Sequence, residues 1–361
     1  MTRRSDSVTI RDVAKHAAVS IATVSRYLNQ NAPVSQEVAE RIQQVMLDLS
    51  YQPHAAARNL ATNRNQTIGL ILHNIHTDFF GPLLSGIESV VNESQFNLLV
   101  ATYKSPIKNI SLPPIGPHNT DGMLVFADSL SDEHLTQLCK IKFPLVLIHR
   151  TPPINLNIPF VTVENKAATR TIIDHLIEVH DRKSILFLRG PHEQEDSRWR
   201  EQGYIESLEA HGIPVRKELM IDGEFNGGVA YQNIKKILDQ RQVFFDAIFT
   251  GDDDAGIGAL TVIQESGLSV PDDVSIVGFD DSRLSAFLNP PLTTVRAPTE
   301  EVGRQAASML FDLIKDQKVT QKALLPTEII IRRSCGCHPE AAKNFLKGGD
   351  DQRKEILQAM F

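Results

Sequence analysis

From Ile68 onward the chain is dominated by short apolar runs: "IGLILH", "FNLLVA", "GMLVFA", "PLVLIH", "SILFLR", "DAIFTG" and "VSIVGFD". Most are separated by stretches patterned as helices, over 80–91, 166–178, 198–210, 229–238 and 253–265. Continuous apolar runs are strands buried on both faces, and helices between them are the crossovers that parallel pairing requires. The fold class is therefore α/β, with parallel sheets flanked by helices. At 361 residues the chain exceeds what one core organises, so two or three domains are expected. Ligands of such sheets sit at the carboxyl ends of the strands. The loops there, "HNIHTDFF", "LIHRTPP", "LRGPHEQEDSRWR", "FTGDDDAG" and "GFDDSRL", are rich in Asp, His, Arg and aromatics. One stretch breaks the rhythm. "KSPIKNISLPPIGPHNTD" carries Pro106, Pro113, Pro114 and Pro117, so a helix there should be short or missing.

The residues ahead of these runs are different. Over 1–64, eight basic residues against five acidic leave a net +3, whereas the remainder carries -10 of the total -7. A small basic head on an acidic body fits a head that meets polyanions. No stretch is long and apolar enough to cross a membrane, and the polar start "MTRRSDSVTIRD" lacks the apolar core of a secretory signal, so a cytoplasmic protein is expected. Three cysteines, Cys139, Cys335 and Cys337, fit a reducing compartment without a disulfide framework. "CGCH" at 335–338 has no second Cys/His pair at zinc spacing, and "HNIHTD", with His73, His76 and Asp78, reads as a strand-end loop. No metal and no cofactor are expected.

The head reads as three short helices. "TIRDVAKHA" begins with Thr9 as N-cap and Asp12 three residues on, the spacing of a capping box. After a break at "AVS", Ser20 caps "IATVSRYLN", in which Ile21, Val24 and Leu28 share one apolar face. A third helix starts near Ser35, with Val38, Ile42, Val45 and Leu49 in its stripe, and stops before Pro53. Two helices joined by a tight turn and braced by a third make a helix-turn-helix, whose second helix can enter the major groove of DNA. There Arg26 can pair with guanine or grip a phosphate, Ser20, Thr23, Ser25 and Asn29 suit phosphate contacts, and Ile21 and Ala22 can touch a thymine methyl. Periodicity alone fits a small helical protein-interaction module equally well. The connector "HAAARNLATNRNQ" is helix-capable but too short to stand alone. Its Leu60 is either a plain core residue or a wedge for the minor groove.

Taken together, "VTIRDVAKHAAVSIATVSRYLN", "VSQEVAERIQQVMLDLSYQPHAAARNLAT", "IGLILHNIHTDFFGPLLSGIE", "TDGMLVFAD", "VPDDVSIVGFDDSRLSAFLNPPLTTVRAPTEEVGRQAASML" and "LLPTEIIIRRSCG" resemble the lactose-repressor/galactose-repressor family of bacterial transcription regulators. The resemblance runs from about Val8 to Gly336. It implies a helix-turn-helix domain over 1–53, a hinge helix and linker over 54–66, and an effector-binding core over 67–338 like the periplasmic sugar-binding proteins. The core's lobes would be about 67–162 with 295–325, and 163–294 with 326–338, leaving a tail with a short helix over 339–361. A homodimer on a two-fold operator is implied, with a tetramer left open. By motif position, Ile21, Ala22 and Arg26 would read bases, Ser20, Thr23, Ser25, Asn29, Tyr51 and His54 would hold the backbone, and Leu60 with Ala57 would enter the minor groove. The effector would meet Asp78, Phe79, Phe80, His149, Arg200, Phe225, Asp252 and Asp280. Ala18 departs from the family's frequent glycine, Asp78 from a proline, and His149 from an acidic residue.

So many hydrogen-bonding groups beside a stacking face suit a mono- or disaccharide, while a ring clamped between Phe80 and Phe225 would suit a purine or nucleoside. Each aromatic also fits core packing, and Asp252 or Asp253 also fits a helix cap. A transporter's solute-binding protein would explain the core but not the basic head. An enzyme is not expected: there is no Gly-rich phosphate loop, nucleophile elbow or metal-ligand cluster.

Overall fold

The computed structural model describes residues 8–29, 32–51, 65–75, 77–103, 113–241 and 243–338. The chain divides into two compact units, 1–66 and 67–361. The expected hinge helix, with His54, Ala57 and Leu60, and the tail 339–361 lie outside the described residues.

The first unit holds α1 (Ile10–His16), α2 (Ile21–Asn29) and α3 (Gln36–Asp48). The Asp12 carboxylate reaches back to Thr9, accepting from its amide at 2.8 Å and its hydroxyl at 2.7 Å. Those bonds hold the Asp12 carboxyl below its ordinary range. Between α1 and α2, Ala18 takes φ 53°, the left-handed conformation that glycine adopts without strain. Ser20 then caps α2, its hydroxyl accepting from the Thr23 amide at 3.1 Å. Val13, Ala14, Ala17, Val24 and Ile42 are buried together, with Val19, Leu28, Val38, Val45, Leu49 and Tyr51 packed around them. Ile21 departs from the expected stripe. It opens its helix, stands outside this cluster and is 46% exposed.

The second unit holds two six-stranded sheets, each the centre of a lobe. In the first lobe β1 (Thr67–Leu72), β2 (Asn97–Thr102), β3 (Gly122–Phe126), β4 (Leu145–Ile148) and β5 (Phe160–Val163) pair in parallel. The second contains β6 (Ile185–Arg189), β7 (Met220–Asp222), β8 (Ala247–Thr250), β9 (Ser275–Asp280) and β10 (Thr293–Arg296), also parallel. Two late strands are shared out. β11 (Lys322–Leu325) returns to pair with β5, and β12 (Glu328–Ile330) runs antiparallel to β10. The strand orders are β11-β5-β4-β3-β1-β2 and β12-β10-β9-β8-β6-β7. The chain therefore passes between lobes after β5, after β10 and after β11.

Helices α4 (Phe80–Glu93), α5 (Asp132–Lys140), α6 (Asn165–His180), α7 (Glu195–Ala210), α8 (Gly227–Gln240), α9 (Asp253–Glu265) and α10 (Thr299–Ile314) flank these sheets. α10 returns to the first lobe and lies so close to α4 that a Cβ on Gly86 would stand 1.9 Å from the Glu300 carbonyl oxygen. No helix is found among the described residues between β2 and β3, where the prolines cluster. There the Asn119 side chain accepts from the Gly116 amide and donates to the Pro114 carbonyl, fixing a turn. The edge strand β2 leaves Leu99 and Val100 exposed, unlike the buried runs of its neighbours. Among the described residues no helix is long and apolar enough to cross a membrane.

Candidate functional site

Two places carry the expected binding residues. On α2, Ser20, Ile21, Ala22 and Arg26 are exposed, Thr23 and Ser25 are half-buried, and Val24 is buried. One helical turn separates Ala22 from Arg26, so they share the outer face. Arg26 offers a fork of donors with a match on guanine. The Thr23 hydroxyl lies 2.8 Å from that of Ser20, within the cap. Tyr51 is half-buried against the three-helix core, and burial pushes its hydroxyl pKa up. Asn29 ends α2, and its side chain lies outside the described residues.

The second place is the cleft between the lobes. A cavity of about 820 Å³ is lined by Asp78 and Phe79 after β1, by Asp252 and Asp280 after β8 and β9, and by Arg296 and Glu300 where the chain crosses into α10. It sits at the carboxyl ends of the strands, as the layering requires.

Behind its wall Arg200 is buried in a network of its own. Its Nε donates to Asn165 Oδ1 at 2.9 Å, and a terminal nitrogen donates to the Gly251 carbonyl. Another lies 3.5 Å from Asp280 Oδ1, and the guanidinium stacks 3.6 Å over the Phe279 ring. This network orients the Asp280 carboxylate at the cavity wall. Asp280 and Asp281 both have positive φ, 103° and 55°. Such strain persists only where neighbours hold it. Arg200 grips the first, and Arg296 (2.7 Å) and Arg332 (2.5 Å) grip the second.

Burial raises all three carboxyls of this wall, Asp252, Asp253 and Asp280. Burial, reinforced by Asp280, holds Asp252 well above the ordinary range. Burial also raises Asp280, although Arg200 opposes it. Burial pushes Asp253 up to about 7, against the hydrogen bonds it accepts. Asp252 is the N-cap of α9, accepting from the Ala255 amide at 2.9 Å, so a helix cap and a cavity wall coincide in one residue. Asp253 does not cap. It accepts from the Ser282 amide and from the hydroxyls of Ser285 and Thr294, tying α9 to the β9–β10 loop.

Four of the expected effector residues, Phe80, His149, Arg200 and Phe225, stand outside the lining of this cavity. Phe80 does not line the cavity. It is buried in the first lobe, its ring centroid 5.2 Å from that of Phe126, because the first turn of α4 presents it to the strands. Phe225 is half-buried outside the cavity lining, its ring packed so tightly on Gly190 that a Cβ there would meet it at 2.1 Å. Phe80 and Phe225 do not face each other across this cavity. His149 is buried and lines a second cavity of about 430 Å³, its ring centroid 5.6 Å from that of Phe79 on the first cavity's wall.

His149 instead meets Asp196 of the other lobe, Nδ1 to Oδ2, at 2.7 Å. Burial pushes the Asp196 carboxyl up, but His149, Arg200 and the Asn165 amide outweigh it and hold the carboxyl below its ordinary range. Beside this pair the Thr151 amide and hydroxyl donate to Glu195 at 2.7 and 2.8 Å. These contacts latch the lobes. The sequence reading missed Asp196, Asn165 and Glu195. Only Asp196 left a signal, one helical turn ahead of Arg200 on α7.

The "CGCH" corner has partners that its own spacing does not show. The second pair that the sequence lacked nearby is present in space: His175 and His180 of α6 stand against Cys335 and Cys337.

Residues 9–54 match the lacI family of bacterial regulatory proteins, and residues 173–335 match a periplasmic binding protein-like domain. Catabolite control protein A of Priestia megaterium is 31% identical over 333 residues, spanning 91% of this chain and 99% of that protein. The Lac repressor dimer bound to operator and the anti-inducer ONPF has the same fold, with a TM-score of 0.77 at 25% identity over 91% of this chain and 99% of that one. The transcriptional regulator CelR in complex with cellobiose gives 0.66 at 28% identity over 91% and 99%. A helix-turn-helix head and a two-lobed core, each matched over a chain of the same extent, leave one assignment: the protein belongs to the lacI family of bacterial regulators, and it is a DNA-binding transcription factor, not an enzyme.

Proposed function

We propose that the protein is a cytoplasmic homodimeric repressor whose hold on a two-fold operator is set by a sugar bound between the lobes of its core. The observation that carries the effector class is the 820 Å³ cavity with Asp78, Asp252 and Asp280 on its wall and Phe79 beside them. Its size suits a small ligand. Carboxylates accept from sugar hydroxyls, and an aromatic face covers the apolar side of a pyranose or furanose ring. Burial of Phe80 weighs against a purine clamped between Phe80 and Phe225. The operator, the dimer and the sugar are each found in a similar protein, the first two with the Lac repressor and cellobiose with CelR.

In this reading Ile21, Ala22 and Arg26 face the bases, with Ser20, Thr23, Ser25, Asn29, Tyr51 and His54 along the backbone and Ala57 and Leu60 in the minor groove. An effector that draws Asp78 and Phe79 towards Asp252 and Asp280 changes the lobe angle that His149–Asp196 and Thr151–Glu195 now set. The two angles differ in operator affinity, and ligand shifts their populations.

Calorimetric titration with a panel of sugars and nucleosides, repeated with operator bound, tests this. A sugar should bind, and operator should change its affinity by the same factor by which the sugar changes operator affinity. Binding of a nucleoside and of no sugar would overturn the effector class. Absence of reciprocal coupling would overturn the mechanism.

A further inference from the structure

The second pair of residues beside the "CGCH" corner lies far from the cleft and has no part in the reading above. Cys335 and Cys337 follow the last strand of the second lobe, while His175 and His180 occupy the final turns of α6. One donor atom from each of the four lies within 4.8 Å of all the others. Cys337 Sγ stands 3.6 Å from His175 Nε2 and 3.3 Å from His180 Nε2. A tetrahedral zinc ion with Zn–S of about 2.3 Å and Zn–N of about 2.0–2.1 Å sets its sulfur and nitrogen ligands about 3.6 Å apart. The two imidazoles meet edge to face, their centroids 5.0 Å apart and their planes 80° from parallel.

We propose that His175, His180, Cys335 and Cys337 form a closed binding site for a zinc-type divalent cation, which fastens the end of the core to helix α6. The donor set selects the metal class. Two thiolates and two imidazoles suit zinc and reject magnesium and calcium, which take oxygen ligands. With four protein ligands no position is left for water or substrate, so the ion is structural.

The surroundings support a built site. Cys335, Cys337 and His175 are buried. The Thr293 hydroxyl donates to Cys335 Sγ at 3.1 Å, the kind of outer bond that orients a thiolate ligand. The preceding Ser334 is pinned into the second sheet, its hydroxyl donating to the Ile276 carbonyl at 2.6 Å and accepting from the Thr293 amide at 2.8 Å. Gly336, at φ 113°, turns the chain between the two thiols, and a Cβ there would press on the His180 ring at 3.0 Å. A surface cavity of about 610 Å³ lined by Arg333, Gly336, Cys337 and His338 opens beside Cys337 and supplies a way in. On binding, each thiol gives up its proton to solvent as its sulfur joins the metal.

The test uses the full chain, purified without chelator, with metal content read by inductively coupled plasma mass spectrometry. One zinc per chain is expected. Stripping the ion with a chelator should lower the thermal midpoint by on the order of 5 °C or more. Titrating the stripped protein with cobalt(II) should produce thiolate charge-transfer and tetrahedral ligand-field bands that saturate at one equivalent. Cys337→Ser and His175→Gln should lose those bands, while Cys139→Ser, altered elsewhere in the first lobe, should keep them. If the first two variants do not fold, the cobalt spectrum of the stripped wild type decides alone. Cobalt binding without a thiolate band, saturation far below one equivalent, or loss of the bands in Cys139→Ser would each overturn the proposal. So would an intact mass showing Cys335 joined to Cys337 as a disulfide in protein purified without air.

Discussion

The reading face of the head and the wall of the cleft are built on opposite plans. On α2, Ile21, Ala22 and Arg26 stand exposed, and the three-helix core beneath them is complete without them. In the cleft, Asp280 and Arg200 are already bonded to each other and to their neighbours. A free face gains affinity from each new contact, and its residues can change without disturbing the fold. An engaged wall obliges a ligand to exchange partners, so binding there is tied to the geometry of both lobes. Change is tolerated at the first site and costly at the second.

Arg200→Ala should break this contrast most severely. It leaves Asp280 without its buried cation and empties the stacked site over Phe279, at a cost of about 3–5 kcal/mol in denaturant unfolding. Arg200→Lys should recover little, because an ammonium cannot reproduce the stacked fork over Phe279. A loss below about 1 kcal/mol for the alanine variant would place the network among exposed pairs and end the comparison.

Asp253 sharpens it through pH. Its folded pKa of about 7 lies above the unfolded value of 3.8. The folded state therefore holds the extra proton between these values. The stabilisation is fully present below pH 3.8 and is lost as pH rises towards 7. Over that window this one group accounts for up to about 4 kcal/mol. In Asp253→Asn that part of the slope should vanish, seen as a difference between the two stability–pH curves. An unchanged difference across the window would contradict the buried, proton-holding role.

Arg26→Ala should leave folding within about 0.5 kcal/mol and cost about 1–3 kcal/mol of operator binding at one base position. Anisotropy titrations against operators varied one base at a time check this, and a uniform loss over all sequences would make Arg26 a phosphate contact. Ala18→Gly should have the smallest effect, stabilising the head by about 0.5–1 kcal/mol as the left-handed turn loses its Cβ strain. A lower midpoint for the isolated head would show that the turn carries no strain.

The head is legible in sequence because its signals are local. Thr9 and Asp12, Ser20 and Thr23, and the stripe of α3 all act within one or two helical turns. The central strands are legible for a similar reason, since burial on both faces leaves uninterrupted apolar runs such as that of β3. What escaped depends on distant partners. "TTVR" and "FVTV" are short and half polar, and they become β10 and β5 only because neighbours supply their ladders. Asp78, Phe79, Asp252 and Asp280, assigned to an effector by the family resemblance, line the cavity between the lobes. Phe80 turns to Phe126 and His149 to Asp196, because one residue along a helix start, or a partner in the other lobe, decides which way a side chain turns. The Cys335–Cys337 corner was read without its histidines because they precede it by most of the second lobe.

The late strand β11 has a consequence for biosynthesis. It closes the edge of the first sheet, yet it leaves the ribosome only after β6 to β10 of the other lobe have emerged. The core of the head, by contrast, is complete by Tyr51 and can form early in synthesis. A nascent chain therefore presents a finished head on an unfinished core for most of its translation. A chain released before Lys322 has an unpaired β5 edge, open to aggregation and to proteolysis.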